Sequence, residues 1–151
     1  MAGGFNLSAN HVGITVSNLE RSVAFYRDLL GFTVRYERGE VKAEYMPTLV
    51  GIPGARLKIA GLDIPGLHLD IIEYLAPPGG TEACKTNDVG NAHIGFTVDD
   101  MWAAYRALSA AGVRFKSEPV SPSQGPNKGG WAVYFWDPDG ITLEMIQRPP
   151  E

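Results

Sequence analysis

Two histidines and two carboxylates in this chain recur in step, and the recurrence is what makes them candidates for chemistry. His11 opens His11-Val12-Gly13-Ile14-Thr15-Val16, and His93 opens His93-Ile94-Gly95-Phe96-Thr97-Val98. Asp70 lies in Gly66-Leu67-His68-Leu69-Asp70-Ile71-Ile72, and Glu144 holds the matching place in Gly140-Ile141-Thr142-Leu143-Glu144-Met145-Ile146. A lone strand histidine is ordinarily a hydrogen-bonded structural residue, and a lone mid-strand carboxylate is costly to bury unpaired. Repetition changes that reading. Two imidazoles and two carboxylates at equivalent positions form a two-fold related donor set for one divalent ion, Zn²⁺, Ni²⁺, Co²⁺, Mn²⁺ or Fe²⁺, with coordination positions left for a substrate. Asp70 is one methylene shorter than Glu144, so His68, two residues earlier on the same strand face, is the reserve ligand. Glu73 has the opposite parity and is set aside.

The elements that must position these side chains are legible in the periodicity. Strand alternation puts His11, Gly13 and Thr15 on one face and Val12, Ile14 and Val16 under the following helix; His93, Gly95 and Thr97 repeat the first pattern, and Ile94, Phe96 and Val98 the second. After the first strand, Ser17 and Glu20 have capping-box spacing, and Leu19, Val23, Tyr26 and Leu30 fall on one helical face before Gly31. After the second, Asp99 or Asp100 caps a helix with Met101, Tyr105 and Leu108 on its apolar stripe and Gly112 at its end. Ile64-Pro65-Gly66 joins a strand around Arg56 to Ala60 with one from Leu67 to Tyr74. Asp137-Pro138-Asp139-Gly140 joins Trp131 to Trp136 with Ile141 to Gln147. The expected fold is α+β: two βαβββ modules, about residues 8–76 and 90–149, joined by a linker at about 77–89 within a single domain over 1–151. The irregular run from Ser117 to Gly130 reads as a surface loop or a flap over a cleft.

Composition narrows the class. With 151 residues and 44% apolar content the chain can bury a core, and its net charge of -4, from 17 acidic and 13 basic side chains, gives no footprint for nucleic acid or anionic lipid. Cys84 is the single cysteine, and Met1-Ala2-Gly3-Gly4-Phe5-Asn6 lacks the parts of a signal peptide, so a reducing cytoplasm is expected. No apolar run reaches the roughly 20 residues that span a bilayer.

Residue by residue, the chain resembles the vicinal oxygen chelate superfamily, which includes glyoxalase I, methylmalonyl-CoA epimerase, extradiol dioxygenases and the fosfomycin and bleomycin resistance proteins. The resemblance rests on the His11 to Val16 strand followed by Leu19-Glu20-Arg21-Ser22-Val23-Ala24-Phe25-Tyr26-Arg27-Asp28-Leu29-Leu30-Gly31-Phe32, and on Asp137-Pro138-Asp139-Gly140-Ile141-Thr142-Leu143-Glu144. It implies paired modules forming a curved mixed sheet around a metal-binding cleft, commonly in a homodimer, with ligands falling on His11, Asp70, His93 and Glu144. Asp70 departs from the Glu or Gln expected in glyoxalase I and the epimerase. The implied partner is a small substrate with vicinal oxygens. Its enolate or enediolate would be stabilised by the metal as Lewis acid, with Glu144 or the opposing Asp70 moving the proton, in an isomerase, epimerase or lyase.

Two alternatives stand beside it. An Fe²⁺ dioxygenase would use His11, His93 and Glu144 and leave Asp70 off the metal. A non-catalytic binding or resistance protein would hold an aromatic compound among Trp131, Tyr134, Trp136 and Tyr45. Arg38, Asn127 and Lys128, with Tyr45, are further candidates for lining a cleft.

Overall fold

The computed structural model describes residues 6–150; Met1 to Phe5, on which the signal-peptide reading rests, lie outside the described residues. The chain divides after Gly80 into two compact units, each with a mixed sheet. Among the described residues, no helix is long and apolar enough to cross a membrane.

The first unit runs β1 (Val12–Thr15), α1 (Leu19–Ala24), a π-helical turn (Phe25–Leu29), β2 (Thr33–Glu40), α2 (Met46–Val50), β3 (Arg56–Ile64) and β4 (Leu67–Ala76). Its sheet order is β1-β4-β3-β2, with β1 parallel to β4 and the other pairs antiparallel. Ala60, Leu62, Leu69 and Ile71 are fully buried on one face, where the core also holds Leu19, Val23 and Tyr26 from the helical segment. The opposite face carries Asp70.

Several local expectations shift. Asn18, not Ser17, caps α1: its backbone is extended and its side-chain oxygen accepts from Arg21 N at 2.8 Å, while Glu20 turns away to Lys58 at 2.9 Å. The helix does not continue as α to Leu30. It widens into a π turn, and the adjacent Phe25 and Tyr26 are both buried, in edge-on contact with each other, with Phe32 edge-on to Tyr26. Val12 is 39% exposed instead of packed under the helix, because β1 is an edge strand. The short α2 was not expected; Pro47 in its first turn and left-handed Gly51 at its end delimit it.

The second unit holds β5 (Ile94–Thr97), α3 (Met101–Ala110), β6 (Trp131–Trp136) and β7 (Thr142–Gln147), in sheet order β5-β7-β6 with β5 parallel to β7. Asp100 caps α3 by accepting from Ala103 N at 2.9 Å. The expected second strand is reduced to two bridges, Phe115 to Phe135 and Val120 to Ala132. Pro119 and Pro122 remove donors from this run, so no continuous ladder forms. The Asp137 to Gly140 turn forms as expected, with Asp137 Oδ1 accepting from both Asp139 N and Ile141 N.

One fastening is common to both units. Glu73 Oε2, on β4, accepts from Leu19 N at 2.8 Å, and Gln147 Oε1, on β7, accepts from Met101 N at 2.7 Å. Each last strand therefore satisfies an orphan amide at the start of the helix packed on its core face. This explains the parity that removed Glu73 from the ligand set.

Candidate metal centre

Strand register brings each histidine to one carboxylate. In the first unit Gly13 pairs with Asp70, and His11, just before β1, places Nε2 at 3.7 Å from Asp70 Oδ2. In the second, Gly95 pairs with Glu144, and His93 Nε2 donates to Glu144 Oε2 at 3.2 Å. A Cβ on Gly95 would stand in van der Waals contact with Glu144 Oε2, at 3.6 Å, and one on Gly13 would stand 3.8 Å from Ile72 Cδ1. Among the described residues no group of three or more His, Cys, Asp or Glu side chains is gathered as a metal site; each unit gathers a pair. His68 is not drawn to Asp70. Its Nδ1 meets Asp63 Oδ1 at 2.7 Å, across the β3–β4 hairpin one pair from its turn.

Within each unit the histidine–carboxylate separation is near that of two ligands on one cation. Neighbouring ligand atoms 2.0–2.2 Å from one tetrahedral or octahedral ion lie about 2.8–3.6 Å apart. The His93–Glu144 separation of 3.2 Å falls in that interval, and the His11–Asp70 separation of 3.7 Å lies slightly above it. His11 is also oriented as a ligand would be: Nδ1 donates to Asn10 Oδ1 at 2.7 Å, which leaves the Nε2 lone pair on the side of Asp70.

Asp70 is the more firmly held carboxylate, through residues that the sequence reading did not single out. Tyr36 donates its phenolic proton to Asp70 Oδ1 at 3.0 Å, and Arg35 Nη2 lies 3.7 Å from the same oxygen. Arg35 sits at a register shift between Val34 and Tyr36, a bulge that brings consecutive residues to the Asp70 face. Tyr36 comes from two strands away and crosses over Gly61, where a Cβ would stand 2.4 Å from its ring. A glycine inside a strand marks such a close approach, and Gly61 in Ile59-Ala60-Gly61-Leu62 was the available signal. Burial, then the bond to Asp70, raises the Tyr36 pKa above its ordinary value.

In the second unit the ring beside the carboxylate is Tyr134, directly paired with Glu144 and edge-on to His93 at 5.2 Å. Burial, then the charge of Glu144, raises its pKa also. Trp136 shares that face. Trp131 does not: it has the parity of Val133 and Phe135 and packs against Trp102. Of the other cleft candidates, Tyr45 is 62% exposed, Arg38 stacks over the Tyr36 ring, and Asn127 and Lys128 lie in the turns of the Ser117 to Gly130 loop.

The sequence and the fold are both matched among known proteins. Residues 8–145 match the family described as the Glyoxalase/Bleomycin resistance protein/Dioxygenase superfamily. A 2-epi-5-epi-valiolone epimerase from Actinomyces is 31% identical over 95% of this chain and 80% of its own length. A probable lactoylglutathione lyase from Vibrio parahaemolyticus is 31% identical over 91% of this chain and 88% of its own. In structure, a glyoxalase family protein from Bacillus cereus superposes with a TM-score of 0.84 at 21% identity, covering 99% of each chain.

Proposed function

The chain belongs to the glyoxalase/bleomycin resistance protein/dioxygenase superfamily, and from that premise we propose that it is a divalent-metal-dependent isomerase, epimerase or lyase acting on a small substrate with vicinal oxygens. The observation that carries the proposal is the repeated row of glycine, carboxylate and histidine, with N–O separations of 3.7 and 3.2 Å. The two pairs serve one ion, Zn²⁺, Ni²⁺, Co²⁺, Mn²⁺ or Fe²⁺, held by His11, Asp70, His93 and Glu144, within one chain or across a homodimer. When bound, such an ion supplies Lewis acidity to neighbouring substrate oxygens, worth several kcal/mol of charge stabilisation.

The residues divide the remaining work. Asp70, fixed by Tyr36 and Arg35, is a placed anchor. Glu144, whose hydrogen-bond partner among the described residues is His93, has the longer and less restrained side chain, and takes and returns the substrate proton. Tyr134 shields that carboxylate on one side.

The test is solvent deuterium exchange at the α-carbon of 2-oxo, 2-hydroxyacyl and CoA-ester compounds, using tag-free protein purified without chelator and assayed for bound metal. We expect retained metal and exchange that Glu144→Gln lowers by about 10²–10⁴-fold. Metal-free protein with no exchange on any of these compounds overturns the proposal. The engagement of Asp70 by Tyr36 and Arg35 favours one second reading, an Fe²⁺ dioxygenase built on His11, His93 and Glu144. Iron-dependent oxygen uptake with a catechol is its mark.

A further inference from the structure

The second unit contains a cavity of about 650 Å³ lined in part by Lys85, Thr86, Asn87, Arg114, Lys116 and Trp136, with no carboxylate in its wall. In a chain with more acids than bases, three cations around one cavity call for a reason. Among the described residues none of the three has an ion-pair partner. Lys116 Nζ donates to the hydroxyls of Thr86 and, at 3.5 Å, Thr142, which orient it without neutralising it. Strand parity explains the clustering. Phe115 bridges to Phe135 and meets Tyr105 edge-on on the core side, so its neighbours Arg114 and Lys116 are turned to the other face. There Arg114 and Lys116 lie over Trp136 at 5.5 and 5.2 Å, and Lys116 lies 5.5 Å from the centre of Tyr134.

That face is the one bearing Glu144. Tyr134 pairs with Glu144 and Trp136 with Thr142, so the rings that Lys116 and Arg114 lie over belong to the strand beside Glu144 and to its face of the sheet. We propose that this cavity is the recognition pocket for an oxyanion, a carboxylate or phosphate, at the end of the substrate remote from its reacting carbon. Lys116 supplies point charge and Arg114 a planar fork suited to two oxygens. The assignment of substrate class rests on the proton-transfer reading above, whereas the anion pocket itself is testable without turnover.

The test follows the Trp136 indole N–H by NMR, its signal identified with Trp136→Phe, while inorganic phosphate or acetate is added to the full chain against sodium chloride at equal ionic strength. A saturable shift with either oxyanion is expected, weakened about tenfold or more by Lys116→Met or Arg114→Met and unaffected by Arg106→Met on α3, the helix packed on the opposite, core face of the sheet. Lys116→Arg should retain binding. The tighter of the two anions identifies the substrate group. A response matched by chloride, or unchanged in Lys116→Met, overturns the pocket. Binding that persists in protein without metal or proton exchange upholds the pocket and removes only the substrate assignment.

Discussion

Asp70 is one methylene shorter than its counterpart Glu144 in the other unit, and the Tyr36 phenol is how its position is fixed. The hydrogen bond at 3.0 Å exists because Gly61 leaves the space the ring crosses. Tyr36→Phe keeps the ring and removes one donor, so the loss in stability should be about 1 kcal/mol. Metal affinity, measured by chelator competition, should fall by about 10–100-fold, as it does when a ligand loses its orienting partner. The same variant has a pH signature. A phenol whose folded pKa is raised stabilises the fold fully below its ordinary value of 10.0 and loses that contribution as pH rises through the folded pKa. Urea stability of the wild type should therefore fall more steeply above pH 10 than that of Tyr36→Phe; equal slopes would remove Tyr36 as the titrating group. The placement of Asp70 and Glu144 on the face opposite the core was readable because each follows its own strand's alternation. Tyr36, Arg35 and Gly61 were not, because their roles arise from a bulge and from register across three strands, which no local window contains.

At the scale of elements, α1 and α3 are fastened by side chains from strands far along the sequence. Glu73 and Gln147 each accept from the first helical amide above them. Replacing Gln147 with Ala leaves Met101 N without its acceptor beside a fully buried Met101 side chain, at an expected cost of about 1–2 kcal/mol by denaturant titration. Helicity should fray from the N-terminus of α3, read as faster amide exchange at Met101 and Trp102. Helices α1 and α3, their apolar stripes and both turn-linked hairpins were visible in periodicity and in Gly and Pro placement, whereas the short α2 was not. The π turn was not, because two consecutive aromatics seeking one core do not fit a 3.6-residue period. Nor was the thinning of the second module's outer strand, where apolar residues alternate but the prolines interrupt the hydrogen-bond ladder.

For the whole molecule, each compact unit supplies one imidazole and one carboxylate, so neither pair alone provides the four donors proposed. If both serve one ion, His11→Ala and His93→Ala should each abolish stoichiometric metal uptake, and the double variant should be little worse than either single one in calorimetry. Two independent ions would instead give halved stoichiometry in each single variant. Light scattering on the same samples, with and without metal, reports whether uptake depends on a homodimer.

The fastening of each helix carries a further consequence. Within β4 and β7 the acid and the amide-capping side chain stand three residues apart, an odd interval that sends them to opposite sides of the sheet. Slipping either strand by one residue would unseat the helix and turn the carboxylate inward in the same move. Chemistry and architecture share one reading frame here, so a chain mispaired along either strand is disarmed as well as unstable.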